Sequence, residues 1–408
     1  MMPLPENAPL PEPSKSPLLG WRSLALGALI AFTTVARVWL IQHYPDPDGD
    51  AKGHLGIATA LLSDPWSVAV HWVWPPGYHY FLAALLALGV TAQGVRFLDC
   101  ALTALLPLLV WHYCVRTLDL SVGRTARLVP FLASVLCAAL PVINLLGTSA
   151  QQGTVFTILV LLTATSLDTG RFALAGALLG AATMVRYEAC GAVGLIAGLR
   201  AVGYVPSLVR RLPAPVARVC RYPLVVSVLP LAAMGAWLLA HRVADGTWFG
   251  FLRELYRFTH VQREGFHQDT WTDLLWFPVF QPYYIFGLSL PLFLLGIRRA
   301  WRDGWVVPLG IYLFLLGSYT FKGSLGSARY YESVAPFVCI AAAYGASRIG
   351  ERWRPALVLG FSAAFAHVMW LLVLTGRWTF RPAAAEGAAK TAPAHPVAGR
   401  RGESRSRG

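Results

Sequence analysis

Long apolar runs separated by short polar segments make up most of the chain between residues 21 and 376. A helix needs about 20 apolar residues to cross a bilayer core about 30 Å thick, and several of the runs approach that length. The pattern predicts an all-α, polytopic membrane protein with about 11 transmembrane helices, in a range of about 10 to 12. The predicted spans are residues 21–41, 95–115, 128–146, 154–168, 172–185, 189–200, 223–241, 281–297, 305–320, 333–347 and 355–376.

The overall composition supports a membrane protein. Only 13% of the 408 residues are charged and 56% are hydrophobic, whereas an ordinary globular domain carries roughly 25% charge. The formal net charge is +14, but the arginines lie between apolar runs and do not form one patch. The basic balance therefore indicates membrane topology, and no nucleic-acid partner is expected.

Arginine-rich segments predict which loops face the cytoplasm, because short basic loops stay on that side. This rule leaves the first outer loop, residues 42–94, and an aromatic loop, residues 242–280, on the outer face. The assignment depends on residues 76–91, which begin with a Pro-Pro-Gly turn and are predicted to lie along the interface; a crossing there would reverse every later loop. The predicted cytoplasmic loops are residues 116–127, 200–222, 298–304 and 348–354, with Arg171.

The two ends of the chain differ from its apolar middle. Residues 1–20 are polar and rich in proline, and they predict a disordered cytoplasmic N-terminus followed by an uncleaved signal anchor. Residues 377–408 form a basic tail without apolar periodicity, which is typical of disorder. A single transmembrane domain, residues 21–376, is left to carry the chemistry. The preference for Arg over Lys is typical of a GC-rich bacterial genome, and a bacterial plasma membrane is the expected location.

The first outer loop concentrates acidic residues, with Asp46, Asp48 and Asp50 inside five positions. Such carboxylates can hold a divalent cation, or one of them can act as a general base on an acceptor hydroxyl. A solvated turn of Asp, Pro and Gly is the alternative, since these residues also make turns. Mg²⁺ or Mn²⁺ bound by the three aspartates is one option, and chemistry without a metal is the other.

The order of these features resembles the GT-C superfamily of integral membrane glycosyltransferases. A signal anchor, an acidic loop, a helix ending in Ile57-Ala58 and a Pro-Pro-Gly-Tyr-His-Tyr-Phe segment are similar to bacterial relatives of protein O-mannosyltransferases and aminoarabinose transferases. Registering the chain on Ile57-Ala58 implies that Asp50 is the first catalytic acid. Ala51 stands where a second acid often occurs, so either Asp48 or Asp46 is expected to supply the partner.

Four later segments extend the resemblance. Arg96 follows Gly94, as in the helix that comes next in the family. Arg329-Tyr330 precedes a proline at the start of a helix, which is also similar to the family. The resemblance implies that Arg96, Arg329, Tyr330 and Lys322 face the donor phosphate. Snorkelling to lipid headgroups is the alternative for the bases. Arg186 and Glu188 are expected either to bind substrate or to neutralise each other. The residues expected to contact substrate are His54, His79, Gln151, Gln152, Arg186 and Glu188.

The resemblance implies an inverting glycosyltransferase that uses a polyprenyl-phosphate sugar on the outer face of the membrane. Asp50, assisted by Asp48, would act as general base while the arginines offset charge on the departing phosphate. The acceptor, which is a lipid, a polysaccharide or a protein, is not specified. The alternative is a transporter or flippase of lipid-linked glycans, which should carry ionisable residues near the midplane of several spans. The charges here gather at the outer ends of the predicted spans, which favours the enzyme.

Overall fold

The computed structural model describes residues 20–46, 48–118, 126–264, 275–321, 327–349, 358–364 and 367–368. Most of these residues are helical, and there is no strand among them. The predicted disordered ends and most of the last predicted span, residues 355–376, lie outside the described residues. The helices are α1 Trp21–His43, α2 Gly49–Ser63, α3 Gly77–Ala87, α4 Ala92–Thr117, α5 Val129–Ala139, α6 Pro141–Leu146, α7 Gln152–Asp168, α8 Phe172–Val185, α9 Ala189–Val202, α10 Pro206–Val209, α11 Ala214–Val219, α12 Val225–Asp245, α13 Gly250–Glu264, α14 Gln281–Phe286, α15 Ser289–Ala300, α16 Val306–Thr320 and α17 Ala335–Ile349.

The length of the helices tests the predicted number of spans. Among the described residues, α1, α4 and α12 are each long and apolar enough to cross a membrane. A fourth candidate is the pair formed by Trp276–Phe286, which includes α14, and α15, with a bend of 99° between them. Other apolar runs form shorter helices because turns divide them. Pro141 separates α5 from α6, and Gly287, with a φ of 52°, separates α14 from α15. The all-helical, polytopic architecture is therefore present, and the number of about 11 spans is not confirmed.

Residues 76–91 were the undecided part of the predicted topology. They contain α3, whose 11 residues correspond to a length of about 16 Å. This helix is too short to cross a hydrocarbon core about 30 Å thick by itself. It packs against α2, and both helices belong to the loop between α1 and α4.

Glycines allow the closest helix contacts. Gly296 on α15 faces the Ala341 carbonyl of α17, and Gly345 on α17 faces the Leu292 carbonyl of α15, so a Cβ at either glycine would overlap main-chain atoms. Small residues of this kind let helix backbones approach within an apolar medium, where lipid tails provide no hydrophobic drive for association. These contacts hold α15 and α17 close together. α17 begins directly after the segment that contains Arg329.

The two ends of the helix bundle differ in the charged residues that meet there. At one end, the Arg302 Nε donates to the Thr117 carbonyl at 2.9 Å and Arg218 pairs with Asp303 at 2.6 Å. These residues come from three of the predicted cytoplasmic loops. At the other end, the last turn of α1, the start of α4 and the start of α7 meet around Arg96. The acidic loop lies at this second end, opposite the basic loops.

Candidate functional site

The acidic loop is organised by the start of α2. Asp48 is the N-cap of this helix, and its Oδ1 accepts a hydrogen bond from the Asp50 main-chain N–H at 2.9 Å. Asp46 Oδ1 in turn accepts from the Asp48 N–H at 3.0 Å. Aspartate is a preferred N-cap residue, and negative charge is stabilised at a helix N-terminus. The local sequence therefore places three carboxylates in a defined order at the N-terminus of α2.

Arg329 joins two of these carboxylates from the far end of the chain. It lies in a 3-10 helix, Ala328–Ser333, and its Nη2 is 2.5 Å from Asp50 Oδ2. Its Nη1 is 3.1 Å from Asp48 Oδ2 and 3.2 Å from Asp48 Oδ1. The side chain of Asp50 is 35% exposed, whereas that of Asp48 is 16% exposed. Asp50 is therefore the carboxylate that an incoming substrate can reach more readily.

Asp46 faces away from Arg329, toward the turn before α7. Its Oδ1 accepts from Ser149 Oγ at 2.5 Å, its Oδ2 accepts from the Ala150 N–H at 2.9 Å, and Arg96 Nε lies 3.7 Å from Oδ2. Arg96 also donates to the main-chain carbonyls of Thr148 and Tyr44. These donors are thus already engaged, and the role of Arg96 toward a donor phosphate stays a prediction.

The two Arg-Tyr motifs of the sequence meet at one aromatic ring. The Arg186 guanidinium carbon is 5.1 Å from the centre of the Tyr330 ring, and that of Arg329 is 5.9 Å from it. Arg186 also pairs with Glu188 at 2.5 Å, which agrees with the predicted mutual neutralisation. A cation held against an aromatic ring keeps its position while its remaining donors are available. The structure therefore brings Arg186, Glu188, Arg329 and Tyr330 together in one cluster.

Sequence reasoning missed Glu332 as a candidate site residue. It lies three residues after Arg329 in the same 3-10 helix. Its side chain is buried, and its Oε1 lies 3.2 Å from Thr154 Oγ1, which is also 3.1 Å from Asp99 Oδ2. One hydroxyl proton cannot serve two carboxylates, so this geometry fits a proton on one of the two acids. Burial raises the pKa of Glu332 to about 7, against the opposing charge of Arg186. Its position directly before the predicted span 333–347, next to the Arg329-Tyr330 motif, was the signal that could have revealed it.

Gln151 and Gln152 lie directly after the turn that holds Asp46. Both side chains are buried, and Gln151 Nε2 and Gln152 Oε1 have no hydrogen-bond partner among the described residues. A buried amide without a partner is costly and is often explained by water or a ligand. Their predicted contact with substrate is compatible with this geometry and stays a prediction. Lys322 lies outside the described residues.

His54 and His79 are buried and contact each other. His54 Nδ1 lies 2.9 Å from His79 Nε2, and His79 Nδ1 lies 2.8 Å from Nδ1 of a third imidazole, His71. Burial lowers the pKa of His54 to about 3 and that of His71 to about 4. The rings are thus neutral at physiological pH, and these nitrogens are used within the row. The predicted contact of His54 and His79 with substrate is untested.

The predicted metal site can be compared with the geometry of the three aspartates. Asp46 turns toward Ser149, whereas Asp48 and Asp50 turn toward Arg329. Within the part of the chain that the structure describes, no group of three or more His, Cys, Asp or Glu side chains is arranged to hold a metal ion. The residues present therefore do not fit the Mg²⁺ or Mn²⁺ site, and no catalytic step is assigned to a metal.

Comparisons with known proteins identify a similar fold among solved structures. No family model matches the sequence, and no curated protein sequence matches it significantly. Among solved structures, ArnT from Cupriavidus metallidurans, crystallised with undecaprenyl phosphate, matches with a TM-score of 0.52 and 14% identity. The match covers 86% of this chain and 63% of the ArnT chain, so the protein spans less than two thirds of that structure. At this level of identity the likeness shows the fold alone, which is similar to that of ArnT.

Proposed function

We propose that the protein is a membrane glycosyltransferase that moves a sugar from a polyprenyl-phosphate donor to an acceptor hydroxyl. The observation that carries this proposal is the contact of Arg329 with Asp48 and Asp50, two acids of the first outer loop, at one end of a GT-C-like helical bundle. Carboxylates beside an arginine provide a base for an acceptor proton and a cation for a phosphate. The ArnT structure was determined with undecaprenyl phosphate, which supports a lipid-linked donor here.

In this mechanism Asp50 takes the proton of the acceptor hydroxyl as its oxygen attacks the anomeric carbon. Attack from the face opposite the lipid phosphate inverts the configuration at that carbon. Asp50 is suited to the role because its side chain is the more exposed of the two that contact Arg329. Asp48 holds the other side of the guanidinium and caps the helix that carries Asp50.

Arg329 has two tasks in the proposed reaction. Its planar fork contacts both carboxylates and can also present donors to the phosphate oxygens of the departing lipid. Charge that develops on the phosphate would be offset by a cation that is already in place, which is a large contribution in many transferases. The Tyr330 ring, which both Arg329 and Arg186 approach, supports this position.

The proposed location is the outer face of a bacterial plasma membrane. The acidic loop lies at the end of the bundle opposite the contacts made by Arg302 and Arg218. Basic loops stay in the cytoplasm, so the arrangement supports a site on the outer side. A donor that reaches this side on a lipid fits the absence of a glycine-rich nucleotide-binding motif from the sequence.

The test is the release of polyprenyl phosphate from a panel of polyprenyl-phosphate sugars by the purified protein in detergent. We expect Asp50→Asn to lower the release rate by about 10²- to 10⁴-fold, the usual loss when a general base is removed. Asp64→Asn is the matched control, because Asp64 is an exposed acid at the other end of the same helix.

Each outcome of this experiment has a distinct meaning. Loss of release in the Asp50 variant alone supports the proposal, and equal rates in both variants contradict the assignment of the base. A parallel series with EDTA measures any dependence on a divalent cation. No release by the folded wild-type protein from any donor, with candidate acceptors present, would favour the transporter.

A further inference from the structure

A row of buried histidines extends from the acidic loop to α12. His54 comes from α2, His79 from α3 and His71 from a 3-10 turn, and the two contacts between ring nitrogens measure 2.9 Å and 2.8 Å. Each of these rings is at most 1% exposed. They are therefore linked to one another in series, in an interior from which bulk water is excluded.

A series of neutral imidazoles has a specific property. Each neutral ring carries one N–H and one bare nitrogen, so the two contacts can be satisfied with all N–H groups pointing one way or all pointing the other way. Conversion between the two states moves one proton into the first ring and one proton out of the last. The low pKa values of His54 and His71 support the neutral starting state.

The first end of the row lies beside the proposed base. His54 follows Asp50 by four residues on α2, and residues at this spacing lie on the same face of a helix. The charge of Asp50 opposes the effect of burial on the pKa of His54. The carboxylate and the first ring of the row are thus electrostatic neighbours.

The other end of the row leads to a second imidazole. His71 contacts the Trp237 ring, with centroids 5.4 Å apart, and Trp237 contacts His241, with centroids 4.4 Å apart. The Nε2 atoms of His71 and His241 are both buried without a hydrogen-bond partner among the described residues. Buried nitrogens of this kind are commonly satisfied by ordered water. His241 Nδ1 then lies 2.5 Å from Asp245, whose side chain is 29% exposed.

We propose that His54, His79, His71 and His241 form a proton pathway between Asp50 and Asp245, which rests on the proposed function because Asp50 must first receive the acceptor proton. As the acceptor oxygen forms its bond to the anomeric carbon, the O–H bond breaks and its proton passes to Asp50. Asp50 delivers it to His54, each ring hands a proton to the next, and a water molecule connects His71 with His241. One proton leaves through Asp245.

The pathway must return to its first state before the next turnover. The bond between the anomeric carbon and the phosphate oxygen breaks with its electron pair on the phosphate, which then carries an additional negative charge. A proton that re-enters at Asp245 and travels back along the rings protonates this phosphate and restores the original tautomers. Over one cycle the acceptor hydroxyl loses one proton and the product phosphate gains one proton, so the protein itself ends with the same number of protons.

The test uses the polyprenyl-phosphate release reaction with the full-length protein. His79→Gln keeps a polar side chain but cannot pass a proton between two nitrogens. We expect kcat to fall roughly 10- to 100-fold, less than the loss of the base itself, with the KM for the donor unchanged and a larger solvent deuterium isotope effect on kcat. His112→Gln, which changes an exposed histidine of α4, is the matched control.

A second variant separates proton transfer from packing. His71→Gly opens a cavity for added imidazoles, and we expect the rescued rate to rise with the pKa of the imidazole used. Rescue that is independent of that pKa, or a wild-type kcat and isotope effect in His79→Gln, would overturn the pathway. If His79→Gln does not fold, His241→Gln takes its place with the same expected changes. Release by the wild-type protein is measured in every series, so failure of the proposed function is seen separately.

Discussion

Two aspartates of one short loop, Asp46 and Asp50, have contrasting surroundings. Asp46 is held by a hydroxyl and by main-chain N–H groups, and its side chain is 12% exposed. Asp50 meets a guanidinium through one oxygen and is 35% exposed. A carboxylate whose lone pairs already accept several hydrogen bonds is poorly placed to receive another proton. Two acids four positions apart thus have different capacities: Asp46 is suited to holding the loop, and Asp50 is suited to the proposed role of base.

After the loss of Asp50 itself, the largest effect should follow from removing its cationic partner, Arg329. Arg329→Gln leaves the two carboxylates without their shared partner, and we expect kcat for polyprenyl-phosphate release to fall about 10²- to 10³-fold, as when a transition-state donor is lost. Arg329→Lys restores the charge without the planar fork and should recover part of the rate. Arg348→Gln, at an exposed arginine that donates to the Leu295 carbonyl, is the control. Equal rates in Arg329→Gln and the control would contradict the role of Arg329.

Much of the helical framework follows from local sequence. The apolar runs at residues 21–41 and 172–185 become Trp21–His43 and Phe172–Val185, because their length and composition determine a helix without reference to distant residues. The run at 128–146 was predicted as one helix and is divided after Leu140, where Pro141 begins a new helix. Local chemistry therefore predicts where helices form better than it predicts where they break.

The candidate site divides in a similar way. Asp46, Asp48 and Asp50 were visible as a cluster because they lie within five positions. The pairing of Asp48 and Asp50 with Arg329 joins residues 281 and 279 positions apart, and no periodicity of the chain encodes such a contact. Only resemblance to a family placed Arg329 near the site in advance. The histidine row and the burial of Glu332 arise from tertiary packing, which residue spacing cannot reveal.

Glu332 is an acid in a third environment, buried in the interior, and its protonation should make the stability of the protein depend on pH. Its pKa is raised from 4.5 to about 7 by burial, so the folded protein binds a proton more tightly than the unfolded chain. The folded state is therefore favoured most below pH 4.5, and this contribution is lost as the pH rises toward 7. We expect the melting temperature of the wild type to fall relative to that of Glu332→Gln across this interval.

The measurement is thermal unfolding in detergent, followed by tryptophan fluorescence at several pH values. The other titrating groups cancel in the difference, which therefore reports Glu332 together with Asp99, the acid that shares the Thr154 hydroxyl with it. A difference in melting temperature that does not change between pH 4.5 and 7 would contradict a raised pKa of this carboxyl. If the melting temperature of the wild type rose relative to that of Glu332→Gln across this interval, the folded protein would prefer the ionised form of the carboxyl.

The smallest effect on the rate should come from Asp46, although it belongs to the same loop as the base. In Asp46→Asn an amide NH2 group replaces the carboxylate oxygen that accepts from the Ala150 N–H and lies near Arg96. The amide N–H and the Ala150 N–H would then be two donors facing each other. We expect a loss of about 1–3 kcal/mol in the free energy of unfolding, the cost of leaving a buried polar group unsatisfied. The rate per folded molecule should stay close to that of the wild type, because Asp50 and Arg329 are unchanged.

This prediction requires the two quantities to be measured on the same preparation. Thermal unfolding reports the stability, and release of polyprenyl phosphate, divided by the folded fraction, reports the chemistry. A variant that loses its rate while keeping its stability would move the general base from Asp50 to Asp46. Loss of stability alone would confirm that Asp46 fastens the loop to the turn before α7, so that Asp48 and Asp50 can face Arg329.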